Sequence, residues 1–359
     1  MRLTANQVTL LRLMLIPIPC ALLLGGPTHK SVALGFFVLV GLTDYLDGYL
    51  ARRQGPTTLG SLMDPLADKI FVAAMFVPLA HQGIVPLWMV WVVFVREYAV
   101  TELRTVYGSQ KASFRTSELA KYKTTIQMIG GCVIILNHIF GSSPWVLLPL
   151  GLLFLFACVL AWHVMTTSGG VGLRTATFMV LVLWGLVMRW ALPHHEANWA
   201  IMALITSVTV LSGLHYARQT WKSLGRELFA GIDRAQLASF VGTALVFPSV
   251  FLAAVNLPQV SIWLVLSVLA LEMLTGGLNN LLVASEKPLT HSPPWRVRMF
   301  LINAAGLAGL LGATLGDGQD ESLIVDAAFS VALLVSLAGC IRTFYIHRRA
   351  LMAASAKTV

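Results

Sequence analysis

Twelve long apolar runs follow one another along the chain, near residues 10–25, 32–50, 64–81, 86–106, 122–140, 145–165, 174–192, 198–217, 235–255, 259–284, 298–316 and 323–344. A helix needs about 20 apolar residues to cross a bilayer. The runs are continuous rather than alternating, so they read as helices and not as barrel strands. Composition agrees: of 359 residues, 57% are hydrophobic and 11% charged, where a soluble chain has about 25% charged. So few charges cannot cover a soluble core of this size. The expected fold is an all-α polytopic membrane protein with twelve spans. A soluble globule, a disordered chain and a disulfide-rich secreted module are excluded. No small-residue cleavage pattern follows the first run, which is read as part of the mature chain.

A net charge of +9 would point to nucleic acid in a soluble domain. Here topology explains it. With Arg2 and the N-terminus in the cytoplasm, the outer loops hold one basic residue, Lys30, and Arg189 lies close to another. The inner loops hold Arg52, Arg53, Lys111, Arg115, Lys121, Arg174, Arg218, Lys222, Arg226, Arg234, Lys287, Arg296, Arg298, Arg348 and Arg349. That is the positive-inside pattern. It places both termini inside and leaves no need for a nucleic-acid partner. Cys20, Cys132, Cys158 and Cys340 lie within apolar runs with no C-x-x-C spacing, and read as small hydrophobes.

The scarce acids are not scattered. Asp44 and Asp47 end the second run at i, i+3, and Asp64 and Asp68 begin the third at i, i+4. Each pair projects from one face of its helix. Two helices joined by a short loop thus aim four carboxylates at one point. Such a cluster cannot stay ionised near a membrane without cations. Hard oxygen ligands suit Mg²⁺ or Mn²⁺, and a metal pair would clamp a diphosphate and stabilise its leaving group. Gly48 and Gly60 let something large approach the backbone, Ala51 keeps the face low, and Arg52 offers a fork to phosphate. Surface ion pairing is the bland alternative, but charges in membrane segments are costly and usually functional.

This stretch resembles the CDP-alcohol phosphatidyltransferase signature, D-x-x-D-G-x-x-A-R-x8-G-x-x-x-D-x-x-x-D. Asp44, Asp47, Gly48, Ala51, Arg52, Gly60, Asp64 and Asp68 fill every fixed position, with seven residues rather than eight between Arg52 and Gly60. The resemblance implies a six-helix core with its active site at the cytoplasmic membrane surface, and an enzyme that displaces CMP from a CDP-linked lipid with an acceptor hydroxyl. It further implies that Asp44, Asp47, Asp64 and Asp68 hold two Mg²⁺ or Mn²⁺ ions, that Asp68 is also the general base, and that Gly48, Ala51, Arg52 and Gly60 shape the CDP pocket. A homodimer is the family's expected assembly.

The acceptor is read from the fourth and fifth runs. Arg96, Arg104, Lys121 and Lys123 together would form a basic pocket suited to an acceptor that carries a phosphate. Positive-inside anchoring is the alternative for the last three. The wording, Arg96-Glu97 to Arg104 and Lys121 to Met128, is similar to that of bacterial phosphatidylglycerophosphate synthases, with Glu102 and Ala120 in place of glycines. Asn6 to Arg12 resembles the start of that branch, and Val208 to Trp221 its C-terminal end. The implied substrates are CDP-diacylglycerol and sn-glycerol 3-phosphate, and the implied location is a bacterial inner membrane. Cardiolipin synthesis or an inositol phosphate acceptor stays open, as does, more remotely, a transporter or an inactive scaffold.

The resemblance covers about 1–140 and 198–222. Either a helical hairpin at about 145–192 is inserted before the last core helix, or 145–165 is the sixth core helix; the first is preferred. Residues 1–222 are then the core, and 223–359 a four-helix membrane extension of unassigned role. Within it, Glu272, Thr275 and Asn279 form one polar stripe, read either as helix packing or as a pocket for lipid or substrate. Ala308, Gly312 and Gly316 make a small-residue face, with Gly309 adjacent.

Overall fold

The computed structural model describes residues 5–54, 58–107, 118–168, 173–224, 234–257, 260–282, 293–315 and 320–356, and its elements are all helical. Each of the twelve apolar runs is helix. The first is two helices, α1 (Ala5–Leu15) and α2 (Pro17–Leu23), because Pro17 lacks an amide to continue the ladder. Then follow α3 (Pro27–Gln54), α4 (Thr58–His81), α5 (Leu87–Tyr107) and α6 (Glu118–Phe140). Next come α7 (Leu147–Ser168), α8 (Leu173–Ala191) and α9 (His194–Leu224). The extension starts with α10 (Arg234–Val241), a π turn (Gly242–Val246) and α11 (Phe247–Ala253). It ends with α12 (Ile262–Leu282), α13 (Pro293–Leu315) and α14 (Asp320–Ala356). The turns after α4 and α6 use Gly83 at φ 69° and Gly141 at φ 54°, a left-handed conformation that glycine adopts without steric cost.

Seven segments among the described residues are long and apolar enough to cross a membrane, and Thr175–Ala191 is a shorter apolar helix. The chain is an all-α, multi-pass membrane protein. In α5 the apolar run is interrupted by Arg96, Glu97, Glu102 and Arg104.

The centre of the molecule is α4. From Phe71 to Ala80 every residue is buried, the pattern of a helix surrounded by others. It packs on α1, α2, α5 and α6, and on its far side against α12 and α14 of the extension. α9 packs on α5, α6 and α8, whereas α7 leans on α8. α7 turns Leu148, Leu152, Leu155, Phe156, Val159 and Trp162 outward, as a lipid-facing helix does. Within the extension, α13 and α14 meet closely: a Cβ on Gly309 would lie 2.6 Å from Phe329. Of the expected small-residue face, Gly312 approaches Val325, Ala308 is exposed and Gly316 lies outside the described residues. The contact face is thus rotated toward Gly309.

Candidate active site

The end of α3 and the start of α4 bring Asp44, Asp64 and Asp68 together, and α1 lies across both helices. Two α1 residues one turn apart, Thr9 and Arg12, point into the cluster. Thr9 Oγ1 donates to Asp64 Oδ1 at 3.0 Å. The buried guanidinium of Arg12 bonds Asp44 Oδ1 through Nη1, and through Nη2 reaches Asp68 Oδ1 at 3.3 Å and the Asp64 carbonyl at 3.4 Å. Asp44 stays 42% and Asp68 28% exposed, so the carboxylates open outward from that buried cation. The side chains of Asp47, Ala51 and Arg52, and the flank of Gly48, lie outside the described residues; Gly60 sits in the first turn of α4.

Sequence reasoning used Thr9 and Arg12 only as part of a motif. The missed signal was their i, i+3 spacing with a charge inside an apolar run. Among the described residues the carboxylates do not close into a ready-made metal site. The donor set nonetheless suits a hard divalent ion: Asp44, Asp64 and Asp68 offer carboxylate oxygens, and Asp44 and Asp68 stay part-exposed beyond the Arg12 contact.

Beside the acids stands the basic cluster. Glu97, buried on α5, is its hub. Lys123 Nζ of α6 bonds Glu97 Oε1, and Arg96 Nη1 lies 3.2 Å from the same oxygen. Arg96 Nη2 also donates to Ser212 Oγ of α9 at 2.9 Å. Arg104 lies over the ring of Tyr216, 5.4 Å from its centroid. Gln127 of α6 donates to Thr209 of α9 at 3.2 Å. Thr209, Ser212 and Tyr216 therefore present one face of α9 to this cluster. Two cations on one carboxylate leave one positive charge in excess, with Arg104 adding another. Lys121 lies at the start of α6, with its side chain outside the described residues. Lys69, next in the chain to Asp68, bonds Thr101 Oγ1, and Thr101 bonds the Glu97 carbonyl at 2.7 Å, which joins the two clusters.

Two charged residues stand elsewhere than the sequence suggests. Glu102 points away from the acceptor side, toward the extension, where it is 2% exposed. Arg298, counted above among loop cations, is buried and bonds both carboxylate oxygens of Glu272, at 2.8 Å for Nη2 to Oε2. Thr275 and Asn279 of the same stripe are also buried within the bundle.

The sequence pattern of the CDP-alcohol phosphatidyltransferase family matches residues 2–168. A CDP-diacylglycerol–glycerol-3-phosphate 3-phosphatidyltransferase of Bacillus subtilis is 32% identical over 175 residues, covering 44% of this chain and 91% of that protein. The chain belongs to the CDP-alcohol phosphatidyltransferase family. A protein of the same description from Rickettsia felis is 33% identical over 134 residues, 37% of this phosphatidyltransferase and 74% of the relative. A probable phosphatidylglycerophosphate synthase of Mycobacterium tuberculosis is 35% identical over 130 residues, 35% of this chain and 62% of the relative. No solved structure matches. The matched region contains both clusters on α1 to α6; α8 and the helices after it lie beyond the family pattern.

Proposed function

We propose that this phosphatidyltransferase joins CDP-diacylglycerol to sn-glycerol 3-phosphate, forming phosphatidylglycerol phosphate and CMP at the cytoplasmic face of a bacterial inner membrane. The observation that carries this reading is the juxtaposition of two oppositely charged clusters, linked from Lys69, next in the chain to Asp68, through Thr101 to the backbone of Glu97. The acids suit a site for the diphosphate of a CDP-lipid. The excess positive charge around Arg96, Lys123 and Arg104, with Lys121, suits a phosphorylated acceptor.

In this reading Asp68 accepts the proton of the acceptor hydroxyl. The hydroxyl oxygen attacks the phosphorus that bears the diacylglycerol, and the bond to CMP breaks. Arg12 holds Asp44 and Asp68 at fixed positions. Gly48, Ala51, Arg52 and Gly60 leave room for the cytidine diphosphate. Asp44, Asp47, Asp64 and Asp68 would hold one or two Mg²⁺ or Mn²⁺ ions, which would neutralise the diphosphate and the departing CMP.

We further assign α9 as the sixth core helix and α7–α8 as an inserted hairpin. The family match ends at residue 168 and takes in α7. Packing favours α9, which supplies Ser212 to Arg96, Thr209 to Gln127 and Tyr216 to Arg104.

The purified chain, given CDP-diacylglycerol and Mg²⁺ or Mn²⁺, is expected to release CMP only when sn-glycerol 3-phosphate is added. Release with phosphatidylglycerol or an inositol phosphate instead would overturn the acceptor, and no release with any acceptor would overturn the reaction.

A further inference from the structure

The family pattern leaves the extension without a role, yet the extension is joined to the site by more than apolar contact. Tyr98 Oη donates to the Leu269 carbonyl at 3.1 Å, Trp91 Nε1 to Ser249 Oγ at 2.8 Å, and His81 Nδ1 lies 2.6 Å from the Val255 carbonyl. Gly276 of α12 lets that helix approach Thr101, since a Cβ there would stand 3.3 Å from the Thr101 methyl.

Between the two parts is a polar chamber. From the core it is lined by Lys69, Glu97, Thr101 and Glu102, and from the extension by Thr243, Glu272 and Trp295. Its free space is about 10 Å³, room for about one water molecule. Glu102 Oε2 is buried without a hydrogen-bond partner. Arg298 of α13 stands on the extension side, paired with Glu272. It is fixed in place by its two bonds to Glu272, by stacking on Trp295 at 4.0 Å from the ring centroid, and by packing against Gly339 of α14. Glu97 is already held by Arg96 and Lys123. Across the chamber, Lys69 of the core faces Glu272, which Arg298 holds, with the carboxyl of Glu102 beside them. Lys69, next in the chain to Asp68, bonds Thr101 Oγ1, and Thr101 in turn bonds the Glu97 carbonyl at 2.7 Å.

We propose that Glu102, Arg298 and Glu272 are positioning residues through which the extension fixes the acceptor side of the active site: Arg298 holds the Glu272 carboxylate and Glu102 fills the chamber beside it, so that Lys69 stays on Thr101 and Asp68 keeps its orientation. The proposal rests on the reading of Asp68 and the basic cluster given above. Without Arg298, the buried Glu272 carboxylate loses its partner, and Lys69 is drawn from Thr101 toward it.

The test uses the full-length protein and steady-state CMP release with each substrate varied in turn. Arg298→Met is expected to lower kcat/KM for sn-glycerol 3-phosphate about tenfold while KM for CDP-diacylglycerol stays within about twofold. The double variant Glu272→Gln/Arg298→Met removes both charges and is expected to return to within about threefold of wild type. Should Arg298→Met aggregate, the near-isosteric Glu272→Gln replaces it, with an expected loss of about threefold or more in kcat/KM for the acceptor. Unchanged acceptor kinetics, a KM for CDP-diacylglycerol raised as much as that for the acceptor, or a double variant no better than the single one would overturn the positioning role. If wild type uses another phosphorylated acceptor, the comparison runs on that acceptor, so a wrong acceptor and a wrong positioning role give different results. A wild-type chain that releases no CMP overturns both.

Discussion

Arg12 carries one guanidinium and reaches three aspartates. Only a planar fork bridges two carboxylates in this way; an ammonium is a point charge. Arg12→Lys is therefore expected to lower kcat about tenfold with saturating substrates, and an unchanged kcat would show that the bridge does not order the site. Asp68→Asn keeps the shape but cannot accept a proton, so CMP release is expected to fall at least about 100-fold; near-wild-type turnover would remove Asp68 from the role of base. The aspartates were legible because their residue types and spacings are local and rare. The role of Arg12 was not, because its partners lie 32 and 56 residues away. Glu102 was legible as a departure from the glycine of similar enzymes, but which way it faces depends on a helix some 170 positions later in the chain.

At the scale of elements, helix existence followed from the apolar runs, which are helical throughout their described residues, the first and ninth in more than one piece. Which helices touch did not follow. α7 and α9 are both long and apolar, but α9 presents Thr209, Ser212 and Tyr216 to the basic cluster while α7 faces outward along Leu148 to Trp162. Two matched substitutions separate them. A Cβ on Gly213 of α9 would stand 2.9 Å from Arg96 Cγ, whereas Gly151 of α7 has nothing within 4 Å. Gly213→Ala is expected to displace Arg96 and raise KM for the acceptor about threefold or more, with Gly151→Ala indistinguishable from wild type. Measuring KM for sn-glycerol 3-phosphate in both variants checks this; equal effects would remove α9 from the acceptor side.

The whole molecule buries α4 between core and extension, so the extension shields Lys69, Thr101 and Glu102 as well as apolar surface. A chain ending after Leu224 would turn Glu102 toward lipid, where an ionised carboxylate costs several kcal/mol. Such a truncation is expected to lose most of its CMP release and to melt at a lower temperature in detergent than the intact chain; full activity and an unchanged melting temperature would make the extension a separate accessory module. The amino-acid sequence by itself determined that this chain is helical and membrane-embedded, since apolar run length and scarcity of charge leave a bilayer few alternatives. It also determined the family, since four aspartates, two glycines and an arginine at fixed spacing are a local pattern. Only the tertiary structure decided that Arg12 joins the aspartates, that Glu97 gathers Arg96 and Lys123, and that Glu102 and Glu272 line one chamber across the core–extension boundary. Each of those depends on helices distant in sequence packing face to face, and apolar periodicity sets which face is buried without naming its partner.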